Sequence, residues 1–136
     1  MIVADVNLVA HLLLGGPATA TAQRVLERDA EWAAPLLWRS EFRSVLAAHM
    51  RQRGLHLDHA WRAHMLANEL LAGREYAVHG EQVLALVAAT NCSACDCEYA
   101  ALAIELGVPL VTADKQLLRS FADQAISPRQ FVRDTA

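Results

Sequence analysis

The sequence predicts an α/β fold, a central and mostly parallel β-sheet flanked by α-helices, in a single domain over residues 1–136. Three observations predict it. Short apolar runs such as "IVA" and "EWAAPLL" alternate with longer segments of helical period, the pattern of strand–helix–strand units. The apolar fraction of 54% is ample for one core in a chain of 136 residues, and a charged fraction of 20% argues against disorder. Two of the runs, "MIVAD" and "VPLVTAD", end in aspartate, and open parallel sheets bind ligands beyond the carboxyl ends of their strands.

The elements follow in order. "MIVAD" reads as a buried first strand, and Val6 to Leu14 keeps helical spacing until Gly15-Gly16-Pro17 stops it. Ala18 to Arg28 forms a second helix, and "EWAAPLL" a second strand. From Trp38 to Gln52 the residues Trp38, Phe42, Val45, Leu46 and His49 recur at helical spacing, with Gly54 as the C-terminal stop. Asp58 is the expected N-cap of a helix over His59 to Ala72. "REYAVHG" reads as a short strand and "EQVLALVAAT" as a helix with Glu81 and Gln82 in its first turn. "NCSACDCEYAALA" leads into a helix ended by Gly107, and "VPLVTAD" is the clearest strand in the chain. "KQLLRSF" is then a helix and "AISPRQFV" a last strand or tail.

Several function classes fall away on composition. No apolar run approaches the roughly 20 residues that span a bilayer. "MIVADVN" has no basic stretch and meets an acid at Asp5, so a signal peptide is not expected and a cytoplasmic location is. The net charge of −3 is not that of a protein that coats nucleic acid, although one bound divalent ion would bring it to −1. Three cysteines within six residues make no disulfide framework.

The acids carry the functional signal. Asp5 and Asp114 end two strands, so they point into one crevice if those strands are neighbours; helix capping is the bland alternative for each. Asp96 shares a helix face with Tyr99, Ala100 and Ala103, three, four and seven residues on. Glu41 likewise shares a face with Trp38, Val45 and Ala48, whereas Glu98 and Glu105 fall on a solvated side. An ionised carboxylate on a core-facing surface is costly unless it is paired or binds a metal. Asp96 as an N-cap, or Glu41 paired with Arg39 or Arg43, would each be a local excuse. One shared site accounts for all four acids at once. Clustered carboxylates repel, so such a site calls for a cation, and oxygen donors without histidine suit Mg²⁺ or Mn²⁺ rather than zinc.

These residues carry a resemblance. "IVADVN", "PLLWRSEFRSVL", "SACDCEYAALA" and "GVPLVTADKQLL", in that order over nearly the whole chain, resemble the PIN domain family. More narrowly they look like the VapC-type toxins of toxin–antitoxin pairs. The resemblance implies a metal-dependent ribonuclease whose acidic site is Asp5, Glu41, Asp96 and Asp114, supported by Asn7 and Thr112. It also implies a homodimer and a cognate antitoxin that covers the acidic groove. Cys95 and Cys97 stand where relatives often carry an aromatic and a small residue, which leaves the ligand set intact.

The remaining motifs have weaker claims. Cys92, Cys95 and Cys97 lack the fourth ligand of a structural zinc site and read as small packing residues, with a Cys92–Cys95 redox pair resting on spacing alone. His59 and His64 in "HLDHAWRAH" do not converge on one ion, so this helix reads as solvated and partner-facing. By the resemblance it belongs to a hairpin that makes dimer and antitoxin contacts, and Trp61, Met65 and Leu66 are interface candidates against ordinary core. Arg39, Arg43 and Lys115 are candidate RNA contacts, against solvated or acid-paired charges. Metal-assisted hydrolysis of an RNA phosphodiester is the expected activity, with no side-chain nucleophile. The rivals are a catalytically silent PIN-fold binding module and another phosphoryl-handling α/β protein. The haloacid-type phosphatase is disfavoured because Asp5-Val6-Asn7 lacks a second acid, and no residue fits the phosphoacceptor of a receiver.

Overall fold

The apolar start of the chain becomes the middle of a sheet. Ile2, Val3 and Ala4 are fully buried and form β1 (Ile2–Ala4), which pairs in parallel with β2 (Trp32–Pro35) on one side and β4 (Leu110–Val111) on the other. β3 (Glu75–Tyr76) extends the sheet beyond β2, and β5 (Ala125–Ile126) extends it beyond β4, both in parallel. The order is β3-β2-β1-β4-β5. This computed structural model describes residues 1–133; residues 134–136 of the predicted domain lie outside the described residues.

Eight helices flank this sheet among the described residues: α1 (Val6–Leu14), α2 (Thr19–Arg28), α3 (Trp38–Gln52), α4 (Leu57–Leu71), α5 (Gly80–Ala89), α6 (Ala94–Leu106), α7 (Lys115–Ser120) and α8 (Pro128–Arg133). The predicted α/β class is observed, and the sheet is parallel throughout. Such strands are covered on both faces, which is why they read as continuous apolar runs rather than alternating ones. No helix among the described residues is long and apolar enough to cross a membrane.

Three expectations need correction. "AISPRQFV" is a two-residue strand followed by a helix, because Ser127 turns the chain and its hydroxyl accepts from the Gln130 amide. α4 starts at Leu57 with His56 in the cap position, so Asp58 sits in the first turn instead of capping it. The histidine-rich stretch is also not solvated throughout, since His64 is 6% exposed.

His64 lies inside an aromatic box. It stacks on Trp61 at 5.8 Å and meets Trp38 at 6.0 Å and Phe42 at 6.1 Å. Its Nδ1 is 3.3 Å from the Asn68 side-chain amide nitrogen, while its Nε2 has no partner among the described residues. Burial, with Arg43 and Arg39 nearby, depresses the His64 pKa. The unfolded chain therefore takes up a proton before the folded one does, and stability falls as pH drops through the ordinary histidine range near about 6.5. His64→Phe should be more stable by roughly 1 kcal/mol at pH 7, since an unmet buried donor is removed. It should also lose less stability than wild type between pH 7 and 5.5 in urea titrations. Equal losses in the two proteins would show that His64 does not titrate on unfolding.

Beside this box α4 presents an apolar surface. Leu57 is 69% exposed, Trp61 57%, Met65 43% and Leu66 41%, which excludes the ordinary-core alternative for Trp61, Met65 and Leu66.

Candidate active site

The chain runs outward from β1 to β2 and β3 on one side, and to β4 and β5 on the other. The strand order thus reverses between β1 and β4, the switch point at which open α/β sheets bind ligands. Asp5 emerges from β1 at this point, and its amide still donates to the Val111 carbonyl at 3.2 Å, which holds it over β4. Its Oδ1 accepts from the Asn7 amide at 3.4 Å, capping α1, and its Oδ2 accepts from the Thr112 hydroxyl at 2.7 Å. Thr112 is fully buried just past β4, and its Oγ1 accepts from the Asp114 amide at 3.0 Å. Asp114 in turn caps α7, with Oδ1 accepting from the Leu117 amide at 2.9 Å. Both aspartates therefore cap helices, and capping does not exclude a shared site. One hydroxyl joins two capping aspartates from neighbouring strands.

Glu41 and Asp96 come from helices. Glu41 lies in the first turn of α3, half-buried, and its Oε1 accepts from the Tyr99 hydroxyl at 2.7 Å. It does not pair with Arg39, whose guanidinium forks onto Glu75 at 2.7 and 2.8 Å. Ser93, rather than Asp96, is the N-cap of α6, accepting from the Asp96 amide at 3.1 Å. Asp96 is thus left half-buried in the first turn, one turn before Tyr99.

The electrostatics tie these four acids together. Burial raises the Asp5 carboxyl above its usual range against the Thr112 and Asn7 hydrogen bonds, and Asp114 adds to the rise. Burial also raises Glu41; the Tyr99 hydrogen bond opposes this, and Asp5, Asp96 and Glu98 reinforce it. Asp96 is raised by burial, then by Asp114 and Asp5. Each shifted acid thus feels the charge of others in the set, so the four share one field. None has an ion-pair partner among the described residues. Carboxylates that repel one another without a counter-charge could hold a hard divalent cation. The site is not a preformed chelate, since no three His, Cys, Asp or Glu side chains among the described residues stand close enough to hold an ion.

Other candidates are placed apart from the acids or at their edge. Asn7 contributes its backbone amide to Asp5, and its side chain is exposed. Arg43 is exposed on α3, in a groove with Trp61 and His64, and Lys115 is exposed directly after Asp114. Cys92 and Cys97 are buried as packing residues, but Cys95 is exposed, and all three are free thiols. Glu105 is exposed and meets His79 at 3.1 Å; Glu98 is half-buried and close enough to act on Glu41.

Tyr99, which the sequence places only on the apolar face, belongs to the site's surroundings. It is 2% exposed and donates to Glu41, and burial followed by that bond drives its pKa up, so it stays a neutral donor. The available signal was chemical: a tyrosine one turn after Asp96 on a core-facing stripe needs a partner for its hydroxyl.

Residues 2–123 match the family model of the PIN domain. The chain belongs to the PIN domain family. PIN domains are generally nucleases. Two solved structures share the fold. PAE2754 from Pyrobaculum aerophilum is similar with a TM-score of 0.77 and 19% identity, over 98% of this chain and 87% of that one. A toxin–antitoxin complex from Klebsiella pneumoniae is similar with a TM-score of 0.71 and 17% identity, over 94% of this chain and 98% of that one. No curated protein matches the sequence. A cavity of about 590 Å³ opens elsewhere on this PIN domain, where Pro109 and Gln124 precede β4 and β5. It lies at the amino ends of the strands, away from the four acids.

Proposed function

We propose that this PIN domain is a metal-dependent endoribonuclease, acting as the toxin of a toxin–antitoxin pair. The observation that carries the reading is the set of four carboxylates near the switch point of a parallel sheet, none of them ion-paired to a side chain among the described residues. Asp5, Asp96 and Asp114 would hold Mg²⁺ or Mn²⁺, with Glu41 direct or through water. Such an ion supplies positive charge for a reacting phosphate and lowers the pKa of a water molecule.

The chain's own residues prepare this chemistry. Thr112 fixes the Asp5 carboxylate from one side while the Asn7 amide fixes it from the other. Tyr99 orients Glu41 in the same way. Orientation by buried donors keeps ligand oxygens in place without neutralising them, which a lysine or arginine partner would do. The reading is hydrolysis by water, with no side-chain nucleophile and no covalent intermediate.

An antitoxin partner is supported by the Klebsiella pneumoniae neighbour, which is a toxin–antitoxin complex. The exposed Leu57, Trp61, Met65 and Leu66 give the surface for it or for a homodimer, and we place the protein in the cytoplasm. The second reading, a catalytically silent binding module, is favoured by one observation: the acids do not converge as a ready chelate.

A single assay separates the two readings. Wild type and Asp96→Asn would be incubated with a mixed pool of tRNA, rRNA and mRNA in Mg²⁺, Mn²⁺ or EDTA. Discrete fragments from wild type in metal are expected, with none in EDTA and at least about a hundred-fold less cleavage by the variant. Folded wild-type protein that leaves the pool intact in both metals would favour the silent module.

A further inference from the structure

A second cavity, of about 430 Å³, lies against the acidic site. Two of the four acids cap the helices that form its wall. Asp5 caps α1, whose Leu8 lines the cavity, and Asp114 caps α7, whose Lys115 and Leu118 line it. Ala113 and Lys115, on either side of Asp114 in the chain, both face into it. The carboxyl end of β4 is therefore the partition between the acids and this space.

Its chemistry is opposite to that of the site next door. Among the described residues no aspartate or glutamate lines the cavity, in a chain whose net charge is −3. Lys115 and Arg129, at the starts of α7 and α8, supply two exposed cations, and neither has an ion-pair partner among the described residues. The remaining wall is largely apolar. A volume of about 430 Å³ falls within the range of roughly 300–1,000 Å³ typical of small-molecule sites. Two cations at an apolar hollow complement a ligand that joins a phosphate to a flat ring with apolar faces, and an arginine plane can stack on such a ring.

We propose that this cavity seats one nucleotide of a single-stranded RNA, next to the phosphodiester at the acidic site, with its phosphate held by Lys115 and Arg129. This rests on the ribonuclease reading and deepens it. The acids would act on one phosphate while the cavity fixes a flanking nucleotide, so the pocket contributes to the choice of cleavage position. A chain of acids alone would repel RNA on both sides of the cut, and the two cations offset that on one side.

The test is binding, measured apart from cleavage. In an Asp96→Asn background, affinity for a fluorescein-labelled single-stranded 12-nucleotide RNA of mixed sequence would be followed by anisotropy over a range of salt. Arg129→Ala should weaken binding about 5–10-fold and reduce the salt slope by about 1, the signature of one lost phosphate contact. Thr21→Trp, which fills the cavity from α2 and leaves both cations in place, should weaken binding several-fold with the salt slope unchanged. Wild-type affinity and slope in Arg129→Ala, or no RNA binding by the parent protein, overturns the inference. The ribonuclease reading fails on a different axis, the loss of metal-dependent cleavage by wild type. Unaltered RNA binding in Arg129→Ala beside intact metal-dependent cleavage would sink the subsite and leave that reading standing.

Discussion

Asp5→Asn is expected to lower RNA cleavage by at least about a thousand-fold, some 4 kcal/mol of transition-state stabilisation, and yet to raise the thermal midpoint of the metal-free protein. The two effects share one cause. The carboxylate is a proposed ligand whose charge is needed in the working enzyme and opposed in the free fold. Asparagine keeps an acceptor for the Asn7 amide and can donate to the Thr112 hydroxyl, so the cap of α1 and the link to β4 survive. The sign of the stability change follows from proton binding. Burial and Asp114 hold the Asp5 carboxyl above its usual range, so the folded chain keeps its proton longer than the unfolded one. Raising the pH from the ordinary carboxylate range through the raised value therefore costs wild type stability that the variant does not lose. In EDTA the gain from Asp5→Asn should be greatest near pH 7 and vanish on acidification below the ordinary range. A gain that grows on acidification, or a destabilised variant at pH 7, would mean that Asp5 is held by a partner rather than repelled by its neighbours. Excess Mg²⁺ should reverse the order of the two midpoints, because only wild type keeps the full ligand set.

Trp38→Ala should unfold the protein more than any change at the acids. Trp38 is fully buried at the start of α3 and packs on Phe42 at 6.1 Å and His64 at 6.0 Å. Its Nε1 donates to Glu75 Oε1 at 2.6 Å, and Arg39 forks onto the same carboxylate. Truncation removes the ring and leaves a cavity, which costs about 3–5 kcal/mol. The loosened α3 would also carry Glu41 away from Tyr99, so residual folded protein should cleave RNA poorly. Trp38→Phe separates the contributions: it keeps most of the volume but loses the bond to Glu75, for about 1 kcal/mol. Urea unfolding of both variants checks this. A cost below 1 kcal/mol for Trp38→Ala would show that the α3–β3 junction adds little to the core.

Much of the fold was legible because its signals are local. Apolar runs too short for helices, with Gly107 after the Asp96 helix and Gly54 after α3, mark strand and helix ends that any parallel α/β chain needs. The boundaries that slipped depended on contacts beyond the run. "VPLVTAD" looks like a long strand, but only Leu110 and Val111 pair as β4, because β1 beside it is three residues long. "AISPRQFV" looked like an ending because nothing in the run itself shows that α8 packs back on α2, where Arg28 lies over the Phe131 ring at 5.0 Å. Cys95 looked like its two neighbours in the sequence and differs from them only because of where the first turn of α6 points.

The sequence by itself determined the strand–helix alternation and marked four acids as candidates. It could do so because strand ends, helix periodicity and the cost of a carboxylate on an apolar face are properties of short stretches. Only the tertiary structure decided which strands are neighbours, and so that Thr112 reaches Asp5 across 107 residues of chain and joins it to Asp114. It also decided that Glu75, far from Arg39 in the chain, takes that arginine away from Glu41 and leaves Tyr99 to hold the acid. These are pairings between residues that the sequence keeps apart. They are set by sheet order and helix packing, which depend on the whole core at once.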